Sequence, residues 1–150
     1  MISTMPYMPR PTQTPIGLQL ANTTKAVSRA FNEALAEAGG TLPVWLVLSS
    51  VKSEDRRTQL ELARAVGIEG PTLTRHLDGL EEAGLVRRQR DPLDRRAQRV
   101  ELTDAGEELF QQLRKAVMAF SQRLTAGISD QELDRVRRTL ARLGENVSGL

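Results

Sequence analysis

Ile16, Leu20, Val27, Phe31 and Leu35 stand four or seven residues apart, the spacing of a single helix face. Thr14 and Pro15 suit a cap and first-turn pair ahead of them, and Gly39-Gly40 stops the pattern, which predicts a first helix over about 14–38. A second, more uniformly apolar segment begins at Thr41, tolerates Pro43 in its opening turn and carries Val44, Trp45, Val47, Leu48 and Val51, as a short buried helix would. After the charged residues 53–57, Thr58 and Glu61 have the spacing of a capping box, Leu62, Ala63 and Val66 supply an apolar face, and Gly67 ends a brief third helix. Gly70 and Pro71 open a fourth, with Leu73, Leu77 and Leu80 on one side and Ala83-Gly84 at its close.

Two short helices joined by a tight Gly-containing turn, the second strongly amphipathic, have the sequence form of a helix-turn-helix. Residues 85–90 and 97–102 are extended candidates on either side of Asp91-Pro92-Leu93-Asp94-Arg95-Arg96, whose Asp-Pro start favours a turn, and they predict a β-hairpin, or wing. Thr103 caps a long fifth helix striped by Leu109, Leu113, Ala116, Phe120 and Leu124. Ser129 and Glu132 make a second capping box before Leu133, Val136, Leu140, Leu143 and Val147. Those last two helices carry more apolar seam than so small a body can hide alone. The expected fold is therefore mainly α with a small β-hairpin: a winged helix-turn-helix lobe over about 41–103 between terminal helices over about 14–38 and 104–148, all in one domain spanning 14–150. Pro6, Pro9 and Pro11 among small polar residues make residues 1–13 read as a flexible tail.

Composition narrows the function. A chain of 150 residues suits one continuous core, and only 3% aromatic residues favours aliphatic helix packing over a β-sandwich. The absence of cysteine removes disulfides, thiolate metal sites, cysteine nucleophiles and thiol-based peroxide sensing. With one histidine and no glycine-rich phosphate loop, the chain is not expected to be an enzyme or to hold a cofactor, and His76 lacks the partners of a metal site. No apolar run approaches the ~20 residues that span a bilayer, and the start lacks a basic segment followed by an apolar one, so a soluble cytoplasmic protein without membrane attachment is expected.

The net charge of +2 is too small to indicate a partner by itself, and its distribution decides. Arg87, Arg88, Arg90, Arg95, Arg96 and Arg99 crowd the hairpin, opposed there by Asp91 and Asp94. An arginine-rich turn of this kind is either a solvated loop or a minor-groove probe with neighbours that neutralise phosphates, Arg88 among them; its place after a helix-turn-helix favours double-stranded DNA as the partner. On the fourth helix, the apolar face leaves Thr72, Arg75, His76 and Gly79 pointing away from the core. Arg75 can donate twice to guanine, and Thr72 lies near the helix N-terminus, where free amides attract phosphate. His76 fits either that face or an ordinary helix surface.

The run Gly67-Ile68-Glu69-Gly70-Pro71-Thr72-Leu73-Thr74-Arg75-His76-Leu77-Asp78, then Leu80-Glu81, Gly84-Leu85-Val86 and Asp94-Arg95-Arg96-Ala97-Gln98-Arg99-Val100-Glu101-Leu102-Thr103, resembles the MarR family of regulators, its SlyA-like branch most of all. The resemblance implies a triangular homodimer joined by its first and last helices, with each winged lobe in adjacent major and minor grooves of a pseudo-palindrome. Pro71, Thr72 and Arg75 then sit at the major groove, and Gly70, Thr74 and His76 are counted beside them as DNA-binding candidates. In the wing, Arg96 would be the minor-groove arginine, Asp94 would brace it by an ion pair, and Arg95 would assist. Gly70 stands where many relatives have a polar side chain. Family members often release DNA on binding small aromatic or amphipathic effectors between the dimerisation helices and the lobe. Trp45 lies near that region, although a large aromatic in an apolar helix is more often core. A repressor is the expectation; a helical protein-interaction dimer and a non-specific architectural DNA-binding protein are the alternatives.

Overall fold

The computed structural model of the chain describes Tyr7, residues 13–53 and residues 57–149. In chain order the elements are α1 (Ile16–Glu37), α2 (Leu42–Ser53), β1 (Arg57–Thr58), α3 (Gln59–Val66), α4 (Gly70–Glu82), β2 (Val86–Arg90), β3 (Gln98–Leu102), α5 (Asp104–Leu124) and α6 (Asp130–Ser148). This is the mainly helical fold with a winged helix-turn-helix lobe that the periodicity predicts. The tail expected over residues 1–13 lies outside the described residues except at Tyr7 and Gln13.

Local chemistry sets most boundaries. Thr58 Oγ1 accepts from the Glu61 N–H at 3.2 Å while Glu61 Oε2 accepts from the Thr58 N–H at 2.8 Å, so two of the free amides at the start of α3 are satisfied reciprocally. Ser129 and Glu132 do the same for α6, at 3.2 and 2.8 Å. Gly67 closes α3 in the left-handed region at φ +67, where a side chain would strain the turn between the two helices. The start of α1 departs from expectation: Pro15, at ψ 138, occupies the cap position, and no side chain caps the helix. Thr14 precedes a proline and is biased to extended backbone, which leaves it one residue outside the turn it was expected to cap.

One apolar cluster joins the helices of the lobe and strands β2 and β3 to α1 and α5. Leu35 of α1, Val47 and Leu48 of α2, Leu62 of α3, Leu73 and Leu77 of α4, Val100 of β3 and Leu113 of α5 are fully buried in it, each such side chain stabilising the fold by ~1.5–3 kcal/mol. Trp45 packs half-buried against this cluster with its ring parallel to that of Phe110, centroids 5.8 Å apart, which is the core role weighed for it.

The sheet has the order β1-β3-β2, antiparallel throughout. In the wing Val86 faces Leu102, Arg88 faces Val100 and Arg90 faces Gln98. Strand β1 is not predicted by the sequence, because two residues show no alternation; it pairs Arg57 with Val100 and Thr58 with Arg99 and so ties the start of α3 to the wing. At the other side, Thr103 donates from Oγ1 to the Gly84 carbonyl at 2.5 Å and accepts from the Gly106 N–H at 3.1 Å. Gly106 approaches so closely that a Cβ there would lie 1.9 Å from the Leu85 carbonyl oxygen.

Beyond the lobe, α1 and α5 pack together, with the Phe31 and Phe120 rings 5.1 Å apart. Helix α6 contains no buried residue, and Val136, Leu140 and Val147 are 49%, 45% and 65% exposed. Between α1 and α6 runs an open apolar groove of about 670 Å³, lined by Ile16, Leu20, Ile128, Val136, Leu140 and Leu143. No single helix among the described residues is long and apolar enough to cross a membrane.

Candidate nucleic-acid interface

Helix α4 buries Leu73, Leu77 and Leu80 and turns Pro71, Thr72 and Arg75 to solvent. Those exposures follow from the 3.6-residue period alone. His76 sits half-buried on the flank. Thr74 is also half-buried, and its hydroxyl is engaged within the protein: it donates to the Gly70 carbonyl at 2.9 Å and accepts from Gln59 Nε2 at 2.6 Å. The two helices of the motif are thereby joined through a side-chain hydrogen bond, and Gln59 enters the site unanticipated. Its type and position, first residue of a capped helix, carry no signal of that role in the sequence.

An open groove of about 790 Å³ lies between α3, the N-terminal turn of α4 and the wing, and it brings Gly70, Thr74, Asp94 and Arg96 of the predicted set onto common walls with Gln59 and Arg64. Arg87, Arg90, Arg95 and Arg96 are exposed, as is Arg75. Among the described residues none of these five arginines has an ion-pair partner, so their charge is free for an anion.

Arg88 requires a correction. Expected to neutralise a phosphate, its side chain is only 17% exposed and lies between two carboxylates of α4. Nη2 donates to Asp78 Oδ1 at 2.5 Å, Nε donates to Glu81 Oε2 at 3.2 Å, and the Arg88 backbone N–H donates to the same Glu81 oxygen at 3.0 Å. The hydrogen bond from Arg88 holds the Glu81 carboxyl below the usual carboxylate range, and Glu81 in return raises the guanidinium further. Alternation explains the placement. Arg88 shares a strand face with buried Val86, and that face meets α4, where Asp78 and Glu81 stand three residues apart on one side. The alternation of β2 is readable in the sequence, but the meeting of the Val86–Arg88 face with Asp78 and Glu81 is not.

The wing tip also differs in detail. Asp94 does not make the expected ion pair with Arg96; its Oδ1 accepts from the Arg96 backbone N–H at 3.0 Å, an Asx turn that short side chains next to turns favour. At the wing tip Asp91, 6% exposed, is ion-paired. Its Oδ1 accepts from the Leu93 N–H at 2.9 Å and its Oδ2 lies 3.0 Å from Arg99 Nε, off the axis of a hydrogen bond. The Leu93 N–H first, and Arg99 second, hold the Asp91 carboxyl below the usual range. Arg99, counted with the surface arginines from sequence, is thus drawn under the tip as a brace. Among the described residues no group of three His, Asp or Glu side chains is arranged to hold a metal ion.

A family model described as MarR family matches residues 41–97. Among solved structures the chain is similar to the transcriptional repressor CouR bound to a 23-mer DNA duplex, at 30% identity over 87% of this chain and 92% of that one, with a TM-score of 0.76. It is similar to a cysteine-to-serine mutant of MarR from E. coli complexed with operator DNA, at 28% identity over 86% and 93% of the two chains and a TM-score of 0.75. A MarR-family transcriptional regulator from Rhodococcus sp. RHA1 matches at 29% identity over 85% and 91%, with a TM-score of 0.71.

Proposed function

The chain belongs to the MarR family, and from that premise we infer that it is a DNA-binding transcriptional regulator which represses by occupying a pseudo-palindromic operator as a homodimer. The observation that carries this reading is the groove on which the N-terminal turn of α4 and the arginine-rich wing converge, with every exposed arginine of both elements free of an ion pair among the described residues. In the proposed complex α4 enters the major groove. Arg75 donates twice to a guanine, His76 lies beside it, and Pro71 and Thr72 meet the phosphate backbone. Gly70 offers no side chain there, so its backbone can approach a phosphate closely. Thr74, held by Gln59, fixes the pitch of the helix.

Arg95 and Arg96 enter the adjacent minor groove, whose negative potential favours guanidinium groups, and Asp94 shapes the turn that presents them. The apolar groove between α1 and α6 receives the second copy, and the two lobes then read half-sites about one DNA turn (~34 Å) apart. Small aromatic or amphipathic effectors would act between the dimerisation helices and the lobe by altering that spacing. The motif run from Gly67 to Thr103 supports the SlyA-like branch, and the composition supports a cytoplasmic protein with no catalytic step of its own.

Fluorescence anisotropy of the purified protein against a duplex from the region upstream of its own gene, and against a scrambled duplex, tests the reading at ~0.15 M salt. A preference of ~10³-fold or more is expected. Equal and steeply salt-dependent binding to both, repeated across duplexes selected from random sequence, would overturn sequence reading in favour of an architectural role, and binding to neither would leave a protein-interaction dimer.

A further inference from the structure

Leu93 is the most exposed large apolar side chain among the described residues, at 90%, and it stands at the apex of the wing. The apex is built rather than slack. The Leu93 N–H donates to Asp91 Oδ1 at 2.9 Å, the Asp91 N–H to the Ala97 carbonyl at 2.8 Å, the Ala97 N–H to the Asp94 carbonyl at 3.0 Å and the Arg96 N–H to Asp94 Oδ1 at 3.0 Å. Asp91 is itself buried and anchored by Arg99. Backbone polarity therefore points inward, and the leucine is held outward on a fixed base, with Pro92 restricting the chain just before it. Arg90, Arg95 and Arg96, all exposed, lie within three residues of it along the chain.

An apolar tip flanked along the chain by arginines without ion-pair partners among the described residues matches a surface that is anionic at its rims and apolar on its floor. The minor groove is such a surface: phosphates line its edges, and sugars and stacked bases form its interior. Resting on the reading of the wing as a minor-groove element, we propose that Leu93 is an apolar wedge that presses into a base-pair step and makes each wing select a deformable pyrimidine–purine step. Such steps unstack with least resistance, so specificity would arise at positions where no side chain reads a base edge.

The test is selection from a duplex library with a random 30-base-pair centre, run at ~0.15 M salt with the wild-type protein, Leu93→Ala, Leu93→Met and Leu93→Lys. The wild type is expected to enrich an inverted repeat with a TA or CA/TG step at the wing position of each half-site. Leu93→Ala should keep the bases read by α4, lose the step preference and bind the wild-type consensus about tenfold more weakly with an unchanged salt slope. Leu93→Met should retain the step, and Leu93→Lys should raise affinity for all sequences without restoring it. An inverted repeat that Leu93→Ala reproduces base for base, with equal affinity, would overturn the wedge while leaving the DNA-binding reading intact. If the wild type enriches no sequence, the operator-reading function falls and the wedge with it; if it binds phosphatidylserine vesicles through Leu93 in place of DNA, the DNA-binding reading falls as well.

Discussion

Replacing Gly106 with alanine places one methyl group where the fold has no room for it. The added Cβ would lie 1.9 Å from the Leu85 carbonyl oxygen, and ordinary van der Waals separation is ~3.5 Å, so about 1.6 Å of displacement is required between α5 and the residue that leads into β2. Neither side is a flexible side chain. The contact is between a helix backbone and a strand-entry backbone, and the same Leu85 oxygen already accepts from the Thr103 N–H at 3.1 Å. A shift of that size breaks this hydrogen bond, costing ~1 kcal/mol, and adds overpacking strain of ~1–3 kcal/mol. Alanine's better helix propensity returns ~1 kcal/mol, leaving a net destabilisation of ~2 kcal/mol, or a fall in Tm of roughly 4–8 °C for a chain of this length. Thermal and urea unfolding at one fixed protein concentration would measure it, since pairing of the kind proposed would make the midpoint depend on concentration. Gly79→Ala is the matched control: no atom lies within 4 Å of the Cβ it would add in the middle of α4, so the propensity gain stands alone and stability should rise. A Gly106→Ala midpoint at or above that of the wild type would refute the account of this junction.

Other consequences are equally direct. Arg75→Ala should erase base preference at one position per half-site, worth ~1–3 kcal/mol, with little effect on random DNA; equal losses on both would remove its base-reading role. Arg88→Ala should accelerate amide exchange in β2 and lower specific affinity while leaving the salt slope of binding unchanged, because Asp78 and Glu81 already neutralise this guanidinium; a slope reduced by about one unit would show that it meets a phosphate after all. Leu140→Glu should halve the mass seen by sedimentation, and an unaltered mass would separate the α1–α6 groove from dimerisation. Asp91 titrates below its ordinary value of 3.8 in the folded protein, so its contribution is complete above that value and is lost as pH falls through the lower, folded one. The Leu93 amide resonance should follow that loss with a midpoint under 3.8, and a midpoint at or above it would contradict the brace.

What the sequence made legible was local. Thr58 with Glu61, and Ser129 with Glu132, announce helix starts because both partners lie within one turn, and Leu73, Leu77 and Leu80 reveal the buried side of α4 through spacing alone. The arginine-rich hairpin and its turn were equally readable. What stayed hidden depends on who meets whom across the fold. Arg88 looks like its neighbours until the face of β2 that it shares with Val86 is known to rest on Asp78 and Glu81. Thr74 looks like a free hydroxyl until Gln59 is brought beside it by the turn at Gly67. Strand β1 exists only because Val100 and Arg99 lie alongside it, and Gly106 gives no hint that a carbonyl oxygen occupies the place of its missing side chain.

Helix α6, nineteen residues long without one buried side chain, has a consequence for the life of the molecule in a cell. In proteins most of a helix's stability comes from packing of its apolar face, a packing that α6 lacks within one copy. In the proposed homodimer pairing would shield it, whereas in an unpaired copy it would fray and offer a handle to proteases. Abundance would then set half-life, and a newly made pool would protect itself only after it had grown past the concentration at which two chains find each other. Expression level would thereby govern both how much regulator is present and how long each molecule lasts.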